Sequence, residues 1–278
     1  MLNLLLAIAS SALVSITMRL SERSIKNNTA MLAVNYIMCT FLAWAYTGFG
    51  SLYPVGRQLA AILGGINGIL YLAGFVLLQR NIRVNGVVLS ATFIKLGLLV
   101  SMAVSVLFFG ERPEAWQWAG FLLAVAAIVL MNYRPGEGKA GNMAGLLLLL
   151  LAGGGGDAMS KIFEELGNPA LSDYFLMITF GTALLFCLGL VRIRKEKMRK
   201  WEIFFGLLIG IPKFFSAKFL LGALKDIAAV VVYPVYSVAT ILTVTVTGVL
   251  VFREKLDKRQ WLALAMILVA LVLLNVSV

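Results

Sequence analysis

The stretch Val106-Leu-Phe-Phe-Gly-Glu-Arg-Pro-Glu-Ala-Trp-Gln-Trp118 has a counterpart later in the chain, Val249-Leu-Val-Phe-Arg-Glu-Lys-Leu-Asp-Lys-Arg-Gln-Trp261. In both stretches an apolar run ends, an acidic residue is followed at once by a basic one, and Gln-Trp begins the next apolar run. Glu111 and Glu254 occupy equal positions in the two stretches, 143 residues apart. The same shift pairs many identical apolar residues on either side, so the chain is an internal duplication.

The composition is that of a membrane protein. Of the 278 residues, 61% are hydrophobic and 13% are charged, and the mean hydropathy is +0.94. A soluble domain is only about 45–50% apolar. A helix needs about 20 apolar residues to cross a bilayer, and the hydropathy pattern predicts ten such spans. They cover approximately 2–20, 30–49, 57–79, 86–109, 117–133, 143–163, 171–191, 202–224, 229–252 and 260–277.

Each half of the duplication contains five of these spans. We assign the first repeat to residues 1–134, the second to 143–278, and a linker to 135–142, where Arg134-Pro-Gly-Glu-Gly-Lys-Ala-Gly141 has the composition of a linker. An odd number of spans per repeat makes the halves enter the bilayer from opposite sides. The predicted fold is therefore an all-α membrane protein with ten transmembrane helices in two inverted five-helix repeats, a plan common among secondary transporters.

The basic residues predict an orientation. Most of them lie in the loops after spans 1, 3, 5, 7 and 9, including a dense run at 192–200, while the opposite side carries only Arg57, Arg112, Lys161 and Lys225. The positive-inside rule makes the first set of loops cytoplasmic and places both termini outside the cytoplasm. It also explains the net charge of +11 without a nucleic-acid partner, and the 192–200 run is read as a solvated loop.

Several kinds of chemistry are disfavoured by what the sequence lacks. There is no histidine, which excludes histidine-dependent catalysis and histidine metal sites. The two cysteines, Cys39 and Cys187, lie inside apolar spans and support neither a disulfide framework nor a metal cluster. We expect no cofactor, no metal and no catalytic residue.

Charges inside the spans are the first candidates for function, because a charge deep in a membrane helix is costly and usually faces a cavity or a partner. Lys95, Lys213, Lys218 and Asp157 lie within spans, and none has a charged counterpart in the other half. We expect Lys95 and Lys213 to bind an anionic group, and Asp157 and Lys218 to act in gating or coupling. Asp157 could instead pair with Lys161, four residues on in the same helix.

Polar and aromatic residues complete the predicted substrate site. A lining of this kind is typical of small-molecule pockets, although packing between helices is the simpler reading of any single aromatic. Pro212 and Pro234 predict interrupted helices near the site, and Gly153-Gly-Gly-Gly156 predicts either close helix packing or a hinge. The substrate-binding residues expected besides the two lysines are Asn67, Tyr71, Phe93, Tyr233 and Tyr236.

Ten spans in two halves, with Phe109-Gly-Glu-Arg112 and Phe252-Arg-Glu-Lys255 at the ends of spans 4 and 9, resemble the drug/metabolite transporter superfamily, and more narrowly its bacterial ten-helix EamA-type members. The resemblance implies alternating access, with helices 1–4 and 6–9 lining a central path. The membrane-buried glutamate of the four-helix multidrug relatives is absent here, since Ser15 and Arg19 are the polar residues of that region.

The sequence thus predicts a non-enzymatic transporter of a small polar metabolite with an anionic or zwitterionic group, and the resemblance implies export as the direction. The protein would be a monomer or a homodimer in the lipid bilayer, coupled to protons or to an exchanged substrate. One alternative is transport of amines by Asp157 and the aromatics. Alternatives of another class are a non-transporting scaffold and an intramembrane lipid-modifying enzyme.

Overall fold

The computed structural model describes residues 1–22, 24–47, 56–132, 142–253 and 256–275. These residues form α-helices joined by short connections, and they contain no β-strand. Glu254 and the predicted linker core at 135–141 fall outside the described residues. The helices are α1 (Leu2–Ser21), α2 (Asn28–Thr47), α3 (Arg57–Lys95), α4 (Leu98–Phe108), α5 (Ala115–Asn132), α6 (Met143–Leu166), α7 (Ser172–Ile193), α8 (Lys200–Leu224), α9 (Ala229–Phe252) and α10 (Lys258–Asn275), with a short 3-10 turn at Pro169–Leu171.

Eight helical stretches of the described chain are long and apolar enough to cross a bilayer, and α5 contains a shorter apolar stretch, Ala115–Met131. The prediction of an all-α membrane protein is confirmed. The third span is longer than the predicted 57–79, because helix α3 continues to Gly86. There φ is +81°, a conformation that glycine adopts at no steric cost. The fourth span, Leu89–Phe108, consists of the end of α3 and all of α4.

The chain forms two compact units. Unit 1 contains Met1–Leu72 and Ile162–Lys225, and unit 2 contains Ala73–Lys161 and Asp226–Val278. In unit 1, α1 packs on α8 and α2 packs on both α7 and α8. In unit 2, α5 packs on α10 and α4 on α9. Each unit therefore combines helices from both predicted repeats. The repeat boundaries remain a prediction about the sequence, whereas the units describe packing.

Both proline-containing helices are continuous. Pro212 lies inside α8 and Pro234 inside α9, so the interruptions predicted at these residues are not present. A proline removes one backbone hydrogen bond, and membrane helices tolerate that loss when neighbouring groups satisfy the freed carbonyl. The breaks occur instead at Gly86 and in the two-residue turn between α3 and α4.

The glycine run on α6 serves packing. Helix α6 is unbroken through Gly153–Gly156, which excludes local unwinding there. A Cβ placed on Gly154 would collide with the carbonyl oxygen of Gly97. The two backbones can therefore approach only because both residues are glycines, as small residues allow in membrane helix contacts.

The N-terminus of α2 is capped by two glutamates from far along the chain. Oε1 of Glu202 accepts hydrogen bonds from the backbone N–H groups of Lys26 at 3.1 Å and Asn27 at 3.3 Å. Oε2 of Glu196 accepts one from the N–H of Ala30 at 3.1 Å. The 192–200 run is thus more than a solvated loop, because Glu196 and Arg194, which donates to Thr29 Oγ1 at 2.9 Å, anchor it to α2.

Glu111 caps α9 in the same way. The residue before α9, Ala228, has no capping side chain, and the carboxylate of Glu111 accepts hydrogen bonds from Ala229 N at 3.0 Å and Val230 N at 2.9 Å. The ammonium of Lys161 lies 3.0 Å from Oε1 of Glu111, with side chains 3% and 13% exposed respectively. A carboxylate at a helix N-terminus satisfies otherwise unpaired N–H groups and the positive end of the helix dipole. Glu111 therefore joins α4, α6 and α9.

Replacing Glu111 by alanine should destabilise the protein by roughly 3–5 kcal/mol, because it removes one partner of a buried ion pair with Lys161 and the carboxylate that caps α9. The exposed Glu114 offers a matched control, and Glu114→Ala should change stability by less than about 0.5 kcal/mol. The measurement is the thermal unfolding of both variants purified in detergent. Equal losses in the two variants would contradict the structural role of Glu111.

Candidate functional site

In unit 1 the ammonium of Lys213 is surrounded by aromatic rings. Its Nζ lies 4.5 Å from the ring centroid of Tyr36 and 5.7 Å from that of Tyr71. Phe180 closes the arrangement, with its ring 6.3 Å from Tyr36 and 6.0 Å from Tyr71. We call these four residues the Lys213 cage. One residue comes from each of α2, α3, α7 and α8, so the packing of four helices positions it.

The charge of Lys213 is not neutralised within its unit. Its side chain is half-buried in a helix long and apolar enough to span the membrane. In the part of the chain that the structure describes, the ion pairs of 4.0 Å or less involve other residues. Contact with aromatic faces is worth about 0.5–2 kcal/mol, well below the desolvation cost of an ammonium. The cage is thus suited to receive an anionic group.

Asn67 lies on α3, the helix that contributes Tyr71 to the cage. It is one helical turn before Tyr71 on α3, which places the two side chains on the same face. Asn67 is 1% exposed. The structure places Tyr71 against the ammonium of Lys213, and the role of Asn67, Tyr71 and Lys213 in binding a substrate stays a prediction.

Unit 2 brings Lys95 and Asp157 into electrostatic contact. Each charge acts on the other, and no ion pair of 4.0 Å or less joins them in the described residues. Lys95 is exposed at the end of α3, and Asp157 is half-buried on α6. The close contact between Gly97 and Gly154 lies two residues after Lys95 and three before Asp157, so it holds the two segments in register.

The other residues predicted for the site in unit 2 have distinct places. The hydroxyl of Tyr233, 1% exposed, donates to the backbone carbonyl oxygen of Asp157 at 2.6 Å. This bond ties α9 to α6 and leaves the carboxylate of Asp157 to interact with Lys95. Phe93 and Tyr236 are half-buried residues of the same unit.

The structure gives acidic partners for two of the lysines. Lys161 forms an ion pair with Glu111, and its pairing with Asp157 stays a prediction. Lys218 pairs with Asp173 and stacks over the ring of Tyr46 at 4.0 Å. The charge of Lys218 is thus paired with a carboxylate of the same unit.

Tyr36, Phe180 and Asp173 were not predicted from the sequence. Tyr36 and Phe180 are aromatics in apolar helices, indistinguishable by spacing from packing residues. Asp173 stands in the first turn of α7, where an acid is explained by the helix dipole alone, and its partner is 45 residues away. The chain offers no local signal for any of these contacts.

Within the described ranges, no group of three or more histidine, cysteine, aspartate or glutamate side chains is placed to hold a metal ion. Both cysteines are free and buried.

Comparison with known proteins covers nearly the whole chain. The sequence model of the EamA-like transporter family matches residues 1–133 and again residues 139–276. An uncharacterized protein of Haemophilus influenzae is 23% identical over 276 residues, which cover 94% of this chain and 93% of that protein. A protein crystal structure with 16% identity superposes with a TM-score of 0.70 over 98% of both chains, which shows a shared fold. Because the family model matches in two segments that together span almost the entire chain, the chain belongs to the EamA-like transporter family.

Proposed function

We propose that the protein is a secondary transporter of a small organic solute with an anionic or zwitterionic group, which the Lys213 cage binds. The observation that carries this proposal is the ammonium of Lys213, which lies in a spanning helix against Tyr36 and Tyr71 without a carboxylate partner in the described chain. Membership of a transporter family supports movement of a small molecule across a membrane. Alternating access, with export as the direction, is the mechanism we propose.

Lys95 and Asp157 form the proposed second element of the cycle. The two residues of unit 2 carry opposite charges that attract each other but form no close ion pair. Lys95 therefore remains available to bind a substrate anion, and Asp157 to bind a proton. We assign Lys95 to substrate attraction and Asp157 to gating or coupling, with exchange of a second solute as the other form of coupling. Lys218 forms an ion pair with Asp173, so we propose that it supports gating or coupling and does not bind the substrate.

The alternative of amine transport is less well supported. Asp157, the carboxylate that would bind an amine, is already opposed by the charge of Lys95. The aromatic faces of the Lys213 cage are occupied by an ammonium of the protein itself. An incoming cation would meet like charge in both clusters. A scaffold or a lipid-modifying enzyme would leave these clusters without a role, and we assign no catalysis to the protein.

Replacing Lys213 by methionine should abolish uptake and counterflow of anionic solutes in proteoliposomes, because it removes the charge and keeps most of the apolar volume. Lys213→Arg should retain part of the activity. The control is Lys225→Met, which removes an exposed lysine just beyond the end of α8 and should leave transport unchanged. Full activity of Lys213→Met across a panel of carboxylates and phosphates would sink the proposal.

Replacing Lys95 by methionine and Asp157 by asparagine should each slow transport, and the double replacement should remain slow. The double variant should lose less stability than the sum of the two single losses, by about 0.5–1 kcal/mol, a small coupling because no ion pair of 4.0 Å or less joins the two groups in the described chain. Thermal unfolding in detergent measures the coupling. Asp226→Asn, at an exposed residue of the same unit, serves as control, and strictly additive effects would show that the two charges are independent.

We further propose that the protein lies in the cell membrane with both termini outside the cytoplasm. A cysteine introduced at Lys197 should then be protected from a membrane-impermeant maleimide in intact cells, and one introduced at Lys225 should be labelled. The native thiols are buried, so background labelling is low. The opposite labelling pattern would reverse the orientation.

A further inference from the structure

Two buried polar atoms of unit 1 have no hydrogen-bond partner in the part of the chain that the structure describes. They are Oδ1 of Asn67 and Oγ1 of Thr179, which belong to residues 1% and 0% exposed. Buried polar groups in folded proteins nearly always have a partner, and an unpaired one is destabilising. A polar group that is unpaired inside a membrane helix can take its hydrogen bond from a molecule outside the chain, such as a bound ligand.

Asn67 belongs to α3 and Thr179 to α7, two of the helices that contribute a residue to the Lys213 cage. Asn67 is one turn before Tyr71 of the cage, and Thr179 immediately precedes Phe180 of the cage. The helices are in close contact there, because a Cβ placed on Gly68 would collide with the backbone carbonyl of Thr179 and lie 2.7 Å from Cβ of Thr182. Both residues therefore lie within about one helical turn of an aromatic residue of the Lys213 cage on the same helix.

The hydrogen-bonding properties of these three groups indicate which kind of ligand could bind to all of them. An ammonium only donates hydrogen bonds, the amide oxygen of Asn67 only accepts them, and the hydroxyl of Thr179 can do both. A plain anion would satisfy Lys213 and leave the oxygen of Asn67 unpaired. A ligand that satisfies the whole cluster must carry both an anionic group and a hydrogen-bond donor.

The donor is better supplied by a hydroxyl than by an ammonium. Within the described residues, no carboxylate is paired with Lys213 to offset a second positive charge. An ammonium placed beside that of Lys213 would be repelled in a medium of low dielectric constant, whereas a hydroxyl is neutral and both donates and accepts.

We propose that the Lys213 cage selects a hydroxylated organic anion, with the ligand hydroxyl received by Asn67 and Thr179 and its anionic group by Lys213. Thr179 is thereby a specificity-determining residue of the transport site. The inference rests on the proposed function and narrows its substrate class.

The first test is a combination of stability and transport. Thr179→Val keeps the side-chain shape and removes the unpaired hydroxyl, so without ligand it should raise the apparent melting temperature of the full-length protein in detergent. The same variant should lose most of its transport of the hydroxylated solute, a trade-off typical of binding residues. The matched control is Thr40→Val in the same unit, whose hydroxyl already donates to the carbonyl oxygen of Tyr36 at 2.7 Å and which should show no gain in stability. A lower melting temperature for Thr179→Val would mean that the hydroxyl has a structural partner, such as a permanent water, and would overturn the inference.

The second test compares three solutes of one carbon skeleton, propanoate, lactate and alanine, by binding to the wild-type protein and to Thr179→Val. Lactate should bind about tenfold more tightly than propanoate to the wild type, and the ratio should fall to near one in the variant. Stronger binding of alanine than of lactate would identify the donor as an ammonium and overturn the choice of hydroxyl. Equal affinities for lactate and propanoate, or no binding of either, would overturn the inference as a whole.

Lys213→Met separates this inference from the proposed function. If that variant binds propanoate and lactate as well as the wild type does, the proposed function itself fails. If it loses both anions while Thr179→Val and Asn67→Leu keep the wild-type ratio, only the hydroxyl assignment fails.

Discussion

Polar groups inside a bilayer cannot obtain hydrogen bonds from lipid, so their partners must come from the chain or from a ligand. Most buried charges of this protein follow the first route. Glu111 satisfies the first N–H groups of α9 and the ammonium of Lys161, and Lys218 has Asp173. These contacts hold helices together within one unit. Lys213 differs, because its ammonium has no ion pair of 4.0 Å or less in the described chain, and Oδ1 of Asn67 in the same unit has no hydrogen-bond partner there.

Residues shared by the two repeats and charged residues found in only one repeat have different roles. Equivalent helices of the two predicted repeats pack on each other, α2 on α7 in unit 1 and α4 on α9 and α5 on α10 in unit 2, as expected for two related halves that share contacts. Glu111, which recurs as Glu254, belongs to this scaffold. Lys95, Asp157, Lys213 and Lys218 lie within spans and have no charged counterpart in the other half. Lys218 is paired with Asp173, whereas the other three form no ion pair of 4.0 Å or less in the described chain. The unpaired members of this asymmetric set are the groups that we propose for the substrate.

The fold could be predicted from the sequence because span length, loop charge and the repeat depend on composition and spacing. Lys213 and Asn67 could be proposed as site residues because a charge or an amide is unusual in an apolar helix, and Tyr71 because it shares a helical face with Asn67. Their partners could not, since Tyr36 and Phe180 look like ordinary core aromatics and the pairs Lys161–Glu111 and Lys218–Asp173 join distant segments. The helix interruptions predicted at Pro212 and Pro234 were wrong, because a proline in a membrane helix costs one hydrogen bond that neighbouring groups can replace. The break at Gly86 could not be predicted, because its positive φ depends on the tertiary fold.

The central claim is that an anionic group of the substrate forms an ion pair with the ammonium of Lys213. The most direct measurement is a structure of the protein with a transported solute bound. The account predicts an oxygen of its anionic group at about 2.7–2.9 Å from Nζ of Lys213, the usual distance of a charge-assisted hydrogen bond, with Tyr36 and Tyr71 beside it. A solute bound elsewhere, with Lys213 still facing only aromatic rings, would contradict the account.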